Sequence, residues 1–241
     1  SVWAEYASIN SKLLTSCPNI KPLSNLLSLY GIAGLTAYHG LMNVGKLKKG
    51  ETVVVSAAGG SVGLFVGQIA KAMGCRVVGI AGSDEKCSRV VKELNFDSCI
   101  NYKSGSLLKD LKTACPDGID IYFDNVGGSI LEVVLFRMNM RGRVVCCGAV
   151  SQYDGTAPTG PRNLPGLLIV KRLKMEGFIV MDFAKDHLSA IKHMSELQAE
   201  GKIKIIEDIT EGIENAPDAL LKLLSGGNYG KSMVRVCPDP S

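Results

Sequence analysis

The sequence lacks the residue spacing that binds a structural or catalytic metal. Its eight cysteines stand at 17, 75, 87, 99, 115, 146, 147 and 237, and no two are separated by the two to four residues of a zinc knuckle. The three histidines, at 39, 187 and 193, form no pair at ligand spacing, so no metal is expected. A disulfide framework is disfavoured too, because 241 residues bury a core without staples. There is no Asn-x-Ser/Thr sequon, and the opening SVWAEY is neither basic nor apolar enough for a signal peptide. Together these absences point to a reducing, cytoplasmic setting. Charge of one sign is also scarce. The 27 basic and 23 acidic residues leave a net charge of +4, and the densest basic run, Lys46-Leu47-Lys48-Lys49, reads as a solvated helix end. Nucleic acid and anionic membrane surfaces are excluded as partners on that ground.

What is present is ordinary globular material, 46% hydrophobic and 21% charged, which excludes disorder. The uncharged stretch from Thr52 to Ala70 spans nineteen residues and passes the length test for a membrane helix. It even holds Gly59-x-x-x-Gly63 and Gly63-x-x-x-Gly67, the spacing of packed membrane helices. Its order argues otherwise. The β-branched Val53-Val54-Val55 precedes Ser56-Ala57-Ala58-Gly59-Gly60-Ser61, which reads as strand, turn, then helix.

After residue 50 that rhythm repeats. Strands are expected at Thr52–Ser56, Arg76–Ala81, Ile119–Phe123, Arg143–Cys147 and Met175–Met181, with a weaker one at Ser98–Asn101. Helical patterns lie between them at Val62–Met73, Glu85–Leu94, Ser106–Thr113, Ile130–Met138 and Ala184–Ala199. Strands apolar on both faces, alternating with helices, mean a parallel sheet covered on both sides. The expected fold class is therefore α/β, a doubly wound parallel (Rossmann) sheet. The flanks are different. Residues 1–23 and 205–241 each hold too few apolar residues for a core of their own, and look like two pieces of a further domain around a sheet domain of 24–204. The tract 157–165 (APTGPRNLP) is expected to be a turn-rich loop.

The chemistry centres on Ala58-Gly59-Gly60-Ser61-Val62-Gly63, directly after a strand and opening a helix. Free backbone N–H groups at such a helix start bind a pyrophosphate, aided by the helix dipole. Gly60 suits the tight turn and Gly63 the close packing of helix on strand, although Ala58 stands where the full fingerprint has its first glycine. NAD-binding folds place an acid at the end of the second strand to hold the ribose 2′-hydroxyl. Here that strand ends Gly79-Ile80-Ala81-Gly82-Ser83, without a carboxylate, and Lys86 lies in the next helix's first turn, where a cation needs an anion beside it. NADP is preferred. Two more strand ends, Asp124-Asn125-Val126-Gly127-Gly128 and Cys147–Tyr153, bring polar groups to the same crevice. Cys146-Cys147 reads as inert packing, and His187 and His193 as exposed helix residues.

GLTAYHG (34–40), AAGGSVG (57–63), GSDEK (82–86), INYK (100–103), DNVGG (124–128), CGAVSQY (147–153) and GGNYGK (226–231) together resemble the medium-chain dehydrogenase/reductase superfamily. The closer resemblance is to its zinc-independent prostaglandin reductase, or leukotriene B4 12-hydroxydehydrogenase, branch, and within that to the 15-oxoprostaglandin 13-reductase type. It implies that Gly60, Ser61, Val62 and Gly63 hold the pyrophosphate of NADP(H), and that Lys86 and Tyr102 meet its 2′-phosphate and adenosine end. Asn125, Cys147, Gly148, Ala149, Val150, Ser151, Gln152, Tyr153, Phe178, Ile179, Val180 and Asn228 would line the rest. Tyr153 is implied to be the catalytic hydroxyl, facing the substrate carbonyl.

The implied reaction is NADPH-dependent reduction of the C=C bond of an α,β-unsaturated ketone such as a 15-oxo-prostaglandin. A quinone or enoyl-thioester reductase, and a non-catalytic NADPH-binding module, stand as alternatives. The family also implies a GroES-like β-domain, of which residues 1–23 and 205–241 would be remnants, and a homodimer through the strand near Met175–Met181.

Overall fold

The computed structural model describes residues 3–14, 20–153 and 160–239; Cys17 and positions 157–159 of the turn-rich tract lie outside these residues. In chain order the elements are α1 (Ile32–His39), β1 (Thr52–Ser56), α2 (Gly63–Ala72), β2 (Arg76–Ala81), α3 (Asp84–Leu94), β3 (Ser98–Asn101), α4 (Leu107–Ala114) and β4 (Ile119–Asp124). They continue with α5 (Gly128–Arg137), β5 (Met138–Cys146), α6 (Leu164–Lys171), β6 (Lys174–Gly177), α7 (His187–Ala199), β7 (Glu207–Glu211), α8 (Ala216–Leu224) and β8 (Lys231–Arg235).

Strands β1 to β6 form one sheet in the order β3-β2-β1-β4-β5-β6, every pair parallel. This is the doubly wound order, with the chain reversing direction across the sheet between β1 and β4. The pleat divides the core in two. Val53, Val55, Ile121 and Phe123 pack with Phe65 and Ile69 of α2 on one face. Val54, Tyr122 and Val144 pack with Leu111 of α4 and Leu131 and Leu135 of α5 on the other. Strands buried on both faces cannot alternate apolar and polar residues, which is why they read as apolar runs.

Some boundaries moved. β6 stops at Gly177, where its partner β5 ends at Cys146, so Phe178–Met181 of the expected strand leave the sheet. The chain 180–186 then winds as a 3₁₀ turn that runs into α7 at His187. The proline-rich tract gives way to helix already at Leu164, with Pro165 in the first turn, where its missing N–H costs nothing. The Lys46–Lys49 run follows a π-type turn, Gly40–Val44, and leads exposed into β1. β7 and β8 pair in parallel as a separate two-stranded sheet. That sheet is tied to the larger one where Gly230 N–H donates to the Gly59 carbonyl at 2.9 Å.

Candidate functional site

The glycine turn closes the carboxyl end of β1. Ala57 takes a left-handed conformation at φ 51°, which an L residue adopts at a cost of about 1–2 kcal/mol. A Cβ on Gly63 would stand 2.3 Å from the Ala57 carbonyl oxygen, so only glycine lets α2 begin this close to β1. The first helical bonds are Leu64 N–H to Gly60 and Val66 N–H to Val62. Among the described residues the N–H groups of Ser61, Val62 and Gly63 donate to no protein acceptor. They lie at the start of α2, in a half-buried turn, where free N–H groups can hold an anion.

Beside it, Asp124 ends β4. Its Oδ1 accepts from Tyr122 OH at 2.9 Å, Val126 N–H at 3.0 Å, Gly127 N–H at 2.8 Å and, longer, Ser56 Oγ at 3.3 Å. Asn125 is buried and locked to β1, its N–H on Ser56 Oγ and its side-chain amide on the Ser56 carbonyl. The segment after β5 folds over this corner. Cys147 and Gly148 N–H donate to the Asp124 carbonyl, Val150 N–H to Asn125, and Ser151 N–H and Oγ to Val126. Ala149, Gln152 and Tyr153 complete that segment. Tyr153 is 68% exposed, and among the described residues its hydroxyl donates to no protein group.

Past β6, Phe178 packs edge-on to Phe123, Ile179 is exposed, and Val180 is buried in the core, its carbonyl 3.1 Å from His187 Nε2. Asn228 is buried and donates to the carbonyl of Gly230, the same residue whose N–H makes the Gly59 tie. Burial, with the Asp124 carboxylate second, pushes the Cys146 and Cys147 thiols up to about 11 and about 12. That fits their reading as packing.

The far end of the site is a cleft of about 390 Å³, lined by Ser83, Lys86, Arg89, Asp208, Gly226 and Tyr229 among others. Ser83 caps α3 through Lys86 N–H, which fixes the lysine in the first turn. Lys86 Nζ donates to the Gly226 carbonyl at 2.6 Å. Its ammonium is lowered by burial and then by the Lys103 charge, with Asp208 and Glu85 opposing. Tyr102 and Lys103 both reach over Gly82, where an added Cβ would stand 3.4 and 3.6 Å from their side chains. The Tyr229 hydroxyl is pushed up to about 12 by burial and then by the Glu93 carboxylate beside it, and the Arg89 guanidinium lies 3.7 Å over its ring. Two mutually repelling lysines at the rim of this cleft are what a phosphate would satisfy. Residues Lys103, Arg89 and Tyr229 were not singled out from sequence; Tyr229 sits inside GGNYGK, beside the expected Asn228.

The structure thus carries every expected residue to the carboxyl-end edge of the parallel sheet or to the Gly230 tie against it. The residues fit an extended dinucleotide with a 2′-phosphate: free N–H groups for the pyrophosphate, cations at one end, and a polar, half-open corner at the other. No group of three or more His, Cys, Asp or Glu side chains among the described residues is placed to hold a metal. The three histidines, contrary to expectation, gather. His39 is 1% exposed and stacks on Phe183 with His187 beside it, while His193 takes a hydrogen bond with Tyr38 OH at 3.1 Å. His187 and His193 are half-buried rather than exposed.

Fold and site define a dinucleotide-binding oxidoreductase. Residues 61–196 match the zinc-binding dehydrogenase family. Prostaglandin reductase 1 of Rattus norvegicus is 47% identical over 93% of this chain and 68% of its own length. The NADP(+)-dependent 2-alkenal reductase of Nicotiana tabacum is 44% identical over 97% of this chain and 69% of its own. Among solved structures, CurA from Vibrio vulnificus in complex with NADPH superposes with a TM-score of 0.86, at 42% identity over 91% of this chain and 67% of that one. The chain belongs to the zinc-binding dehydrogenase family of the medium-chain dehydrogenase/reductase superfamily, and stands with its prostaglandin reductase branch. Its cofactor is NADP(H).

Proposed function

We propose that the protein reduces the carbon–carbon double bond of α,β-unsaturated ketones and aldehydes, 15-oxo-prostaglandins and alkenals among them, at the expense of NADPH. The observation that carries this reading is the convergence of the free N–H groups of Ser61–Gly63, the Lys86–Lys103 pair and the Asn125/Tyr153 corner on one sheet edge, in a chain whose relatives include an alkenal reductase. In this reading Gly60–Gly63 hold the pyrophosphate, and Lys86 and Tyr102 hold the 2′-phosphate end. Asn125, Cys147–Gln152, Phe178–Val180 and Asn228 orient the remainder. The reduced nicotinamide, when bound, supplies a hydride.

Tyr153 then donates a hydrogen bond to the substrate carbonyl oxygen, where negative charge grows as the β-carbon is reduced. A preorganised donor at such an oxygen contributes about 3–4 kcal/mol to transition-state stabilisation. The asparagine, locked on both sides, keeps the corner rigid beneath it.

We also assign residues 24–204 to the nucleotide-binding domain, and 1–23 with 205–241 to a GroES-like β-domain. An open apolar cleft of about 380 Å³ against β8 and α8, lined by Trp3, Leu220, Met233 and Val236, supports that assignment. β6 is the last strand of the sheet, with Ile179 and Met181 exposed beside it, which supports a homodimer through this edge. The free thiols favour a cytoplasmic location. No helix among the described residues is long and apolar enough to cross a membrane.

The test is NADPH titration by fluorescence, followed by NADPH consumption with 15-oxo-prostaglandin E2, a 2-alkenal and a quinone. Saturable binding with enone and enal turnover supports the proposal. Turnover of the quinone alone would assign the protein to quinone reduction instead. Binding with no turnover would leave a cofactor module.

A further inference from the structure

Two thiols meet beneath the Lys86 end of the site and have no part in the reaction proposed above. Cys87 lies in the first turns of α3, directly after Lys86, and Cys99 lies in β3, three residues before Tyr102. Their sulfurs are 2.9 Å apart, the Cys99 thiol donating to Cys87. A disulfide needs about 2.05 Å between sulfurs, so less than about 1 Å of approach would close this gap. The contact is built into the fold. α3 and β3 are held against each other by Asn101 Nδ2, which donates to Asp84 Oδ1 at 2.9 Å, and Cys99 sits against Gly79, whose added Cβ would fall 3.0 Å from the sulfur.

The pair is also polarised. The hydrogen bond from Cys99 lowers the Cys87 thiol, with burial opposing, while donating that bond holds Cys99 far above the ordinary thiol range. Cys87 is thereby the nucleophile and Cys99 the resolving thiol. Cys75, Cys115, Cys146 and Cys147 are all raised, burial being the largest cause.

We propose that Cys87 and Cys99 form a peroxide-sensitive thiol–disulfide switch whose closed state weakens binding of NADPH at the adjoining cleft. The Cys87 thiolate attacks one peroxide oxygen: an S–O bond forms, the O–O bond breaks, and the departing hydroxide takes up a proton to become water. The Cys99 sulfur then attacks the Cys87 sulfur: the S–S bond forms, the S–O bond breaks, and hydroxide leaves with the Cys99 proton as a second water. Two thiols lose two protons and two electrons, and one peroxide becomes two waters. A low-molecular-weight thiol reverses the step by exchange.

Closing the bond draws the first turns of α3 toward β3. Lys86 rides on that helix, while Tyr102 and Lys103 follow β3. The two cations facing the 2′-phosphate therefore change their spacing. This consequence rests on the proposed function; the cross-link itself does not.

The experiment treats reduced protein with limiting hydrogen peroxide, blocks the remaining thiols, maps peptides, and titrates NADPH before and after, with dithiothreitol reversal. Cys87→Ala, Cys87→Ser, Cys99→Ala and Cys99→Ser variants are carried through the same steps. The expected first product is a peptide pair joined through residues 87 and 99 and lighter by two hydrogens, absent from every variant. NADPH binding of the oxidised wild-type protein should be several-fold weaker and recover with dithiothreitol. Both thiols staying open to alkylation while the exposed Cys237 oxidises would overturn the proposal, as would a cross-linked protein binding NADPH as tightly as the reduced one. Reduced wild-type protein that fails to bind NADPH would instead refute the proposed function, because the cross-link is read independently from the peptides.

Discussion

Replacing Asp124 should destabilise the protein by an amount set by how many donors it strands. The residue is 2% exposed, and its Oδ1 gathers Tyr122 OH, Val126 N–H, Gly127 N–H and Ser56 Oγ. Asp124→Ala leaves two of these donors fully enclosed, the Tyr122 hydroxyl and the Gly127 N–H, and each orphaned buried group costs about 1–3 kcal/mol. Val126 is only partly enclosed and the Ser56 contact is long, so these add little. The sum is about 4 kcal/mol, a large share of the roughly 5–15 kcal/mol that holds a typical protein folded. Asp124→Asn keeps an oxygen acceptor without the charge and should cost about half as much, near 2 kcal/mol. Adding Tyr122→Phe to Asp124→Ala removes one orphan, so the double variant should be less destabilised than the single-variant sum by about 1–2 kcal/mol. Urea unfolding followed by circular dichroism reads the four variants against the wild type. Equal midpoints for Ala and Asn, or strict additivity with Tyr122→Phe, would refute the account of the corner.

Four further outcomes follow from the same geometry. Lys86→Ala should weaken NADPH binding about tenfold, equivalent to about 1.4 kcal/mol, and leave NADH binding unchanged in parallel fluorescence titrations; an equal loss for both nucleotides would contradict its place at the 2′-phosphate. Tyr153→Phe should lower kcat about a hundredfold with little change in the NADPH dissociation constant, measured by steady-state kinetics and titration. A Cβ at position 67 would stand 1.8 Å from Phe96 Cζ, so Gly67→Ala should cost about 3 kcal/mol or more of stability by thermal unfolding. His39 is lowered from 6.5 by burial first, with His187 also lowering it and Asn43 and Asp186 opposing. The unfolded chain therefore takes the proton first: stability is complete above about pH 6.5 and declines on acidification until folded His39 protonates, a slope that His39→Gln should flatten in urea midpoints against pH.

Much of this architecture was legible because parallel strands buried on both faces announce themselves as apolar runs. β1, β2 and β3 fall on the residues expected. α1 was not seen as a helix. It is buried on almost every side, through Ala33, Gly34, Leu35, Thr36, Ala37 and His39, so its sequence has no polar face to give it a period. α6, Leu164–Lys171, also lacks a polar face, although none of its residues is buried, and its apolar run follows a proline-rich tract that reads as loop. β7, the charged segment Glu207–Glu211, carries no strand signal, and forms because it finds β8 as a parallel partner.

The site divides similarly. The glycine turn, Asn125 and Lys86 were visible because strand ends and helix starts impose positions on the sequence. The cleft around Lys86 was only half visible. Arg89 and Tyr229 lie 140 positions apart in sequence and meet where the C-terminal segment is bonded to the sheet domain, as at Gly230 and Gly59. The Cys87–Cys99 contact was hidden likewise, since neighbouring strand and helix place them together at a spacing no motif marks.

The most direct test of the account is to mix the protein with NADPH and an enone and identify the product by mass spectrometry. The account predicts loss of NADPH and a product in which the double bond is saturated and the carbonyl retained, with the yield collapsing in Tyr153→Phe. Conversion of the carbonyl to an alcohol with the double bond intact, or firm NADPH binding with no product from any enone or enal, would contradict it.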